Sequence, residues 1–423
     1  MNLPGLRRIA HGSLALVTGN VTGAALNFAT SIIIGRGLGE IGFGHWVFAM
    51  AWASLLVIAS EFGLNTFLTR EVARAHARAN QLLLGSFIAK LVLFTVWGMS
   101  FWAVSPFLGS DPDTIAALRV TIFFALGVVI YGSFTAVFRA RAWMTLILWL
   151  NVGGQIAQCL LFFYVIRSGG GVLQLMVSAF AVQTAQVLGA GLGWWFKLRA
   201  SGGPFVTSPQ LVQGMLRQSI PFALAGILGV IQMRSSVLML NYLRSPAEVG
   251  WFGAASRFGE AAKLIPNGLF DAVFPVFSSR SEEGTAYGGR LSRLFQWVLL
   301  IIVVPTVVGV VIFARPLLVL TYGASFSPAA PVLTWLGIGL FPSLMNAGVE
   351  VYLYARGGEH EALRLSAIAV AIQVTLSLPL ILWQGALGAA IASLLGEIVI
   401  WWPLRQRMKN LQPVVEMKGL PGD

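Results

Sequence analysis

Leu299 to Phe313 reads Leu-Leu-Ile-Ile-Val-Val-Pro-Thr-Val-Val-Gly-Val-Val-Ile-Phe, an apolar run without a charged residue. Extended back to Leu294, it reaches the roughly 20 residues that a helix needs to cross the hydrocarbon core of a bilayer. The apolar residues are continuous and do not alternate, which excludes the strands of a transmembrane β-barrel. Comparable runs recur along the whole chain. Of its 423 residues 57% are hydrophobic and 10% charged, with a mean hydropathy of +0.79. Soluble domains carry about 25% charged residues, so soluble globular and disordered classes are excluded. The reading is an all-α polytopic membrane protein of about twelve transmembrane helices. Spans are expected near 14–34, 43–65, 82–106, 115–138, 143–166, 171–196, 211–240, 249–277, 294–313, 329–354, 363–383 and 385–404.

There are 28 Lys and Arg against 16 Asp and Glu, a net charge of +12. In a soluble protein this excess would suggest nucleic acid; here the basic residues occupy short loops, and topology accounts for them. With the N-terminus in the cytoplasm, nineteen fall on that side. Five (Arg36, Arg119, Arg167, Arg244 and Arg315) fall on the other, and four lie within spans. Both termini are therefore expected in the cytoplasm, in a cytoplasmic (inner) membrane. The first apolar run is too long for a signal-peptide core and is expected to remain as a span. Cys159 stands alone, with no partner for an internal disulfide.

Residues 1–200 form an expected N-terminal lobe and 211–404 a C-terminal lobe. A cytoplasmic linker at 201–210 joins them, and 405–423 form a cytoplasmic tail. Thr69 to Asn80 spaces Arg70, Arg74 and Arg78 as one helical stripe. It is expected either to face anionic headgroups or to be a helical loop that obeys the positive-inside rule.

Phe43-Gly44-His45-Trp46-Val47-Phe48-Ala49 and Val249-Gly250-Trp251-Phe252-Gly253-Ala254-Ala255 resemble one another, with Gly44 and Gly250 separated by 206 positions. Each opens an even-numbered span after an outer turn, so the two halves share one orientation, as in transporters built from parallel repeats. Four phrases then carry a resemblance to a family. They are Gly35-Arg36-Gly37-Leu38-Gly39-Glu40-Ile41-Gly42-Phe43-Gly44-His45-Trp46; Glu61-Phe62-Gly63-Leu64-Asn65 with Thr69-Arg70-Glu71; Ser219-Ile220-Pro221-Phe222-Ala223-Leu224; and Pro316 to Phe326. In this order they resemble the polysaccharide (O-antigen, lipid-linked oligosaccharide) flippases of the multidrug/oligosaccharidyl-lipid/polysaccharide exporter superfamily. The resemblance implies two six-helix lobes around a central cavity that works by alternating access. It also implies a prenyl-diphosphate-linked oligosaccharide as cargo, moved from the cytoplasmic to the outer leaflet for polysaccharide biosynthesis. Partners would be that lipid-linked glycan, membrane lipids and other polysaccharide-assembly proteins, with no nucleic acid.

Charges at membrane depth are costly and default to function. Arg257, Glu260 and Lys263 step by three along the eighth span, with Asp271 beyond. Arg234 lies deep in the seventh, Lys90 in the third and Glu61 near the end of the second. A lipid diphosphate asks for positive charge, and a guanidinium matches its oxygens in pairs. Arg234, Arg257, Lys263 and Lys90 are the candidates for it. Glu260, Glu61 and Asp271 are candidates for ion pairing or coupling. Glu260 has the alternative of simply neutralising Arg257 or Lys263, Lys90 that of snorkelling, and Glu61, Asp271, Glu350 and Glu397 that of capping or pairing at a boundary. Asn27, Asn151, Gln155, Gln183, Asn241, Asn346 and Trp149 could meet sugars.

Gly37 to Gly42 spells G-x-G-x-x-G, but a dinucleotide site needs a preceding strand, and here a span precedes it. No Walker sequence and no metal-ligand spacing occur, so no cofactor or metal is expected, and no catalytic residue. Two other readings remain. A multidrug-type cation-coupled exporter would present deep acidic residues. A polysaccharide polymerase, ligase or glycosyltransferase would carry a large outer loop or acidic metal-binding pairs.

Overall fold

The computed structural model describes the backbone over 3–109, 112–197, 202–279, 285–355 and 359–410, and side chains over 19, 21–109, 112–197, 202–270, 273, 294–354 and 360–406. Among the described residues every regular element is helical. Lipid offers no hydrogen-bond partner to backbone groups, so apolar segments of this length must satisfy them internally. The helices are α1 (Leu3–Glu61), α2 (Leu64–Arg74), α3 (Ala79–Leu108), α4 (Pro112–Ala140), α5 (Met144–Arg167), α6 (Val172–Lys197) and α7 (Pro209–Leu243). They continue with α8 (Pro246–Ala262), α9 (Leu264–Ser279), α10 (Thr285–Ile312), α11 (Ala314–Tyr322), α12 (Ala330–Ala355), α13 (Glu359–Gln384) and α14 (Ala386–Asn410). Ten helical segments among the described residues are long and apolar enough to cross a membrane.

Three departures from the sequence reading have local causes. The first two expected spans run as one element, α1, interrupted at Gly39, whose φ of 67° and ψ of −174° favour glycine. The eighth expected span is interrupted at Lys263, between α8 and α9. The stripe of Arg70, Arg74 and Arg78 does not form, because Ala75 leaves the helix (φ −134°, ψ 74°) and His76–Arg78 makes a tighter turn. A further element, α11, appears where only a connection was expected. Its Ala314, Leu318 and Tyr322, followed by Phe326, recur every fourth residue and are buried.

The chain divides into two compact units, Met1–Gly253 and Ala254–Asp423. In the first, Leu64, Phe67, Leu68 and Val72 of α2 pack into a core with Leu83, Phe134, Phe138, Ile147, Ala190 and Met215. In the second, Phe270, Phe295, Leu299, Leu340 and Leu344 form one cluster and Val349, Leu353, Ala369 and Ile400 another.

Inside a bilayer apolar helices gain little by hiding from lipid, so close backbone approach at small residues decides where they meet. The two glycines of the repeat do this reciprocally within the first unit. A Cβ on Gly44 would lie 1.8 Å from the carbonyl oxygen of Pro246, and one on Gly250 would lie 2.1 Å from that of Glu40. Glu40 and Pro246 are themselves 206 positions apart, and each begins a helical segment, after Gly39 and after Ser245.

Candidate functional site

Lys90 is 2% exposed on α3. Its Nζ donates to Asn65 Oδ1 at 2.5 Å, Ser133 Oγ at 2.7 Å and the Val129 carbonyl at 3.5 Å. The ammonium thus ties α2 and α4 to α3. Ser133 also lies 3.4 Å from Ser86, and the half-buried Glu61 carboxylate attracts the ammonium electrostatically. Gly132 makes room for this arrangement, since a Cβ there would lie 2.6 Å from Asn65 Nδ2. An ammonium has three protons to give, and these three acceptors use them. Arg234, half-buried about three-quarters of the way along α7, belongs to the same unit.

In the second unit, Arg257 Nη1 donates to Glu260 Oε2 at 2.8 Å, one turn further along α8. Lys263 sits at the break after α8, and its Nζ donates to Ser343 Oγ of α12 at 3.4 Å. The structure therefore brings Arg257 and Glu260 together and leads Lys263 to another helix. Asp271 lies on α9, with its side chain outside the described residues.

Two groups of residues carry more structure than their sequence signal announced. In the second unit Asn346 Nδ2 donates to the Glu397 carbonyl at 2.9 Å and to its Oε2 at 3.1 Å. Arg405, stacked on Trp401 at 3.3 Å, donates to Asn346 Oδ1 at 3.4 Å. Glu350, which accepts from Ser366 at 3.2 Å, interacts electrostatically with Glu397. In the first unit Asn80 accepts from Trp194 Nε1 at 3.0 Å. Its backbone N–H and side-chain amide donate to the carbonyls of Gly202 and Gly203 at 2.9 and 2.8 Å. The segment leading into α7 is strapped to α3 and α6 by this one residue. The only signal for it in the sequence is an asparagine closing a basic run.

Large side chains such as Met99, Phe107, Leu160 and Trp383 stand exposed along these helices, as lipid contact requires. Together with the ten helical segments among the described residues that are long and apolar enough to cross a membrane, this defines a multi-pass helical membrane protein. The profile of the polysaccharide biosynthesis protein family matches residues 9–281. The chain belongs to that family.

The profile of lipid II flippase MurJ matches residues 258–418. A probable low-salt glycan biosynthesis flippase of Haloferax volcanii is 21% identical over 402 residues, 92% of this chain and 81% of that protein. Among solved structures, an inward-facing multidrug resistance MATE family transporter of the MOP superfamily superposes with a TM-score of 0.77 at 17% identity. The alignment covers 93% of this chain and 98% of that one. Lipid II flippase MurJ in an inward closed conformation superposes with a TM-score of 0.75 at 13% identity, covering 95% and 88%. At these identities the structural likenesses speak to the fold alone.

Proposed function

We propose that this protein is a flippase that moves a prenyl-diphosphate-linked oligosaccharide from the cytoplasmic to the outer leaflet by alternating access, for polysaccharide biosynthesis. The observation that carries the reading is the pair of family matches, one to polysaccharide biosynthesis proteins and one to a lipid II flippase, on a chain of the flippase fold. Counting the Gly39 break as a turn between two spans, and α8 with α9 as one interrupted crossing, gives twelve. Two lobes, 1–200 and 211–404, joined by 201–210 and followed by a tail at 405–423, would then place both termini in the cytoplasm.

Arg234, Arg257 and Lys263 are the groups we assign to the diphosphate. Arg257 is half-buried and already held toward an acidic partner, so Glu260 would keep it oriented until a phosphate replaces the carboxylate. Lys90 would serve only by exchanging Asn65 or Ser133 for a phosphate oxygen. Glu61 and Asp271 would be coupling or pairing groups. Other polysaccharide-assembly proteins are natural partners, because something must load and consume the cargo. The cation-exporter reading has the MATE likeness in fold and an acidic group at membrane depth in Glu397 of α14, whereas Lys90 and Arg234 within α3 and α7 are basic.

The test is the leaflet occupied by the glycan in cells. Depleting the protein should leave lipid-linked glycan inaccessible to an impermeant periodate label at the outer face. Undiminished labelling would contradict the proposal.

A further inference from the structure

The first unit holds a cavity of about 880 Å³ between α3, α4 and α6. Phe87 and Leu91 of α3, Ile130 and Phe134 of α4, and Leu188 and Leu192 of α6 form its walls. Leu91, Leu188 and Leu192 are each more than half exposed, so the space is an open groove on the surface of the bundle. Along α6 it runs from Val187 to Phe196. At 1.5 Å per residue that is a depth of about 14 Å, close to one leaflet of a hydrocarbon core about 30 Å thick. Dividing volume by depth leaves a mean cross-section of about 60 Å², wider than a single extended hydrocarbon chain. Lys90 contributes its stem to the wall while its ammonium is bonded to Asn65 and Ser133, so the deep end presents no charge.

Charge stands at the mouth instead. Phe134 packs on Phe138 at 6.4 Å, Phe138 on Trp143 at 5.8 Å, and Lys197 Nζ lies 5.5 Å above the Trp143 ring. An aromatic stack thus leads from the groove wall to an exposed ammonium directly after Phe196. Arg139 closes the last turn of α4 at the same end.

We propose that this groove is a binding site for an anionic phospholipid of the cytoplasmic leaflet, with two acyl chains against α3, α4 and α6 and the phosphate on Lys197. The assignment of leaflet rests on the topology proposed above. The groove is one leaflet deep and holds its charge at one end, as a phospholipid does. A prenyl tail longer than one leaflet would leave part of its length outside a groove of this depth.

Native mass spectrometry of the purified full chain, with added phosphatidylglycerol or phosphatidylcholine, tests the proposal without any cargo. Its failure would therefore leave the flippase reading standing, and the reverse also holds. One lysine at an anionic surface supplies a factor of about five, so wild type should favour phosphatidylglycerol about fivefold. Lys197→Gln should bring that ratio to about one. A Cβ at Gly191 meets only Phe134 Cζ, at 4.0 Å, so Gly191→Leu fills the groove and should remove both adducts. Leu188→Trp, at an exposed wall position, is a second filling variant with the same expected loss. Equal binding of the two lipids by wild type would overturn the proposal, as would undiminished adducts in both filling variants. Displacement of phosphatidylglycerol by an equimolar long-chain prenyl phosphate would assign the groove to cargo and overturn it too.

Discussion

Replacing Gly44 or Gly250 by Ala tests the reciprocal crossing of α1 and α8 directly. The new methyl at Gly44 would begin 1.8 Å from the Pro246 carbonyl oxygen, and at Gly250 2.1 Å from that of Glu40. Carbon and carbonyl oxygen rest at about 3.3 Å or more, so the helices must part by about 1.5 Å in one case and 1.2 Å in the other. Each obstacle is backbone in the first turn of a helix and cannot rotate aside. Overpacking of this kind costs about 1–3 kcal/mol, and the upper half of that range is expected for both. Once the helices have parted for one methyl, most of the room for the second exists. The double variant should therefore fall short of the sum of the singles by about 1 kcal/mol or more. Gly229→Ala is the control, since a Cβ there meets nothing within 4 Å and alanine favours the helix. The assay is thermal and denaturant unfolding of wild type and the four purified variants in one detergent. Additive losses in the double variant, or a Gly44→Ala protein as stable as Gly229→Ala, would refute the reasoning.

Other consequences are open to simpler checks. Lys90→Met keeps the volume but leaves Asn65 and Ser133 without their donor. It should cost about 1–3 kcal/mol in unfolding, part of it recovered on adding Asn65→Leu. Asn80→Ala removes the side-chain bonds to Trp194 and Gly203; limited proteolysis should then cut faster within residues 202–208, and an unchanged rate would deny the strap. Arg234→Ala and Arg257→Ala should each abolish surface glycan export while the protein remains in the membrane at wild-type level. Wild-type export in both would remove the proposed anion-binding role.

Continuous apolar runs made the helices legible, because span length and backbone satisfaction leave a single solution for each. The breaks were partly legible. Gly39 lies in a glycine-rich turn that the sequence marks, whereas the halt at Ala75 follows an alanine-rich helical pattern that gives no warning. Spacing alone paired Gly44 with Gly250; that each faces the carbonyl opening the other's helix is a fact of three dimensions. The same is true of Lys90. Its acceptors Asn65 and Ser133 lie 25 and 43 positions away, and small polar residues of that kind are common in spans. By sequence alone Asn346 suggests a sugar contact and Glu397 a boundary acid. Their bond spans 51 positions and becomes visible only when α12 and α14 pack.

The most direct measurement is transbilayer movement in vesicles reconstituted with the purified protein and a fluorescent diphosphate-linked glycolipid in one leaflet. The account predicts that the glycolipid crosses only in vesicles containing the protein, that Arg234→Ala and Arg257→Ala slow the crossing, and that a cationic dye stays where it was loaded. Dye efflux with a stationary glycolipid would contradict it.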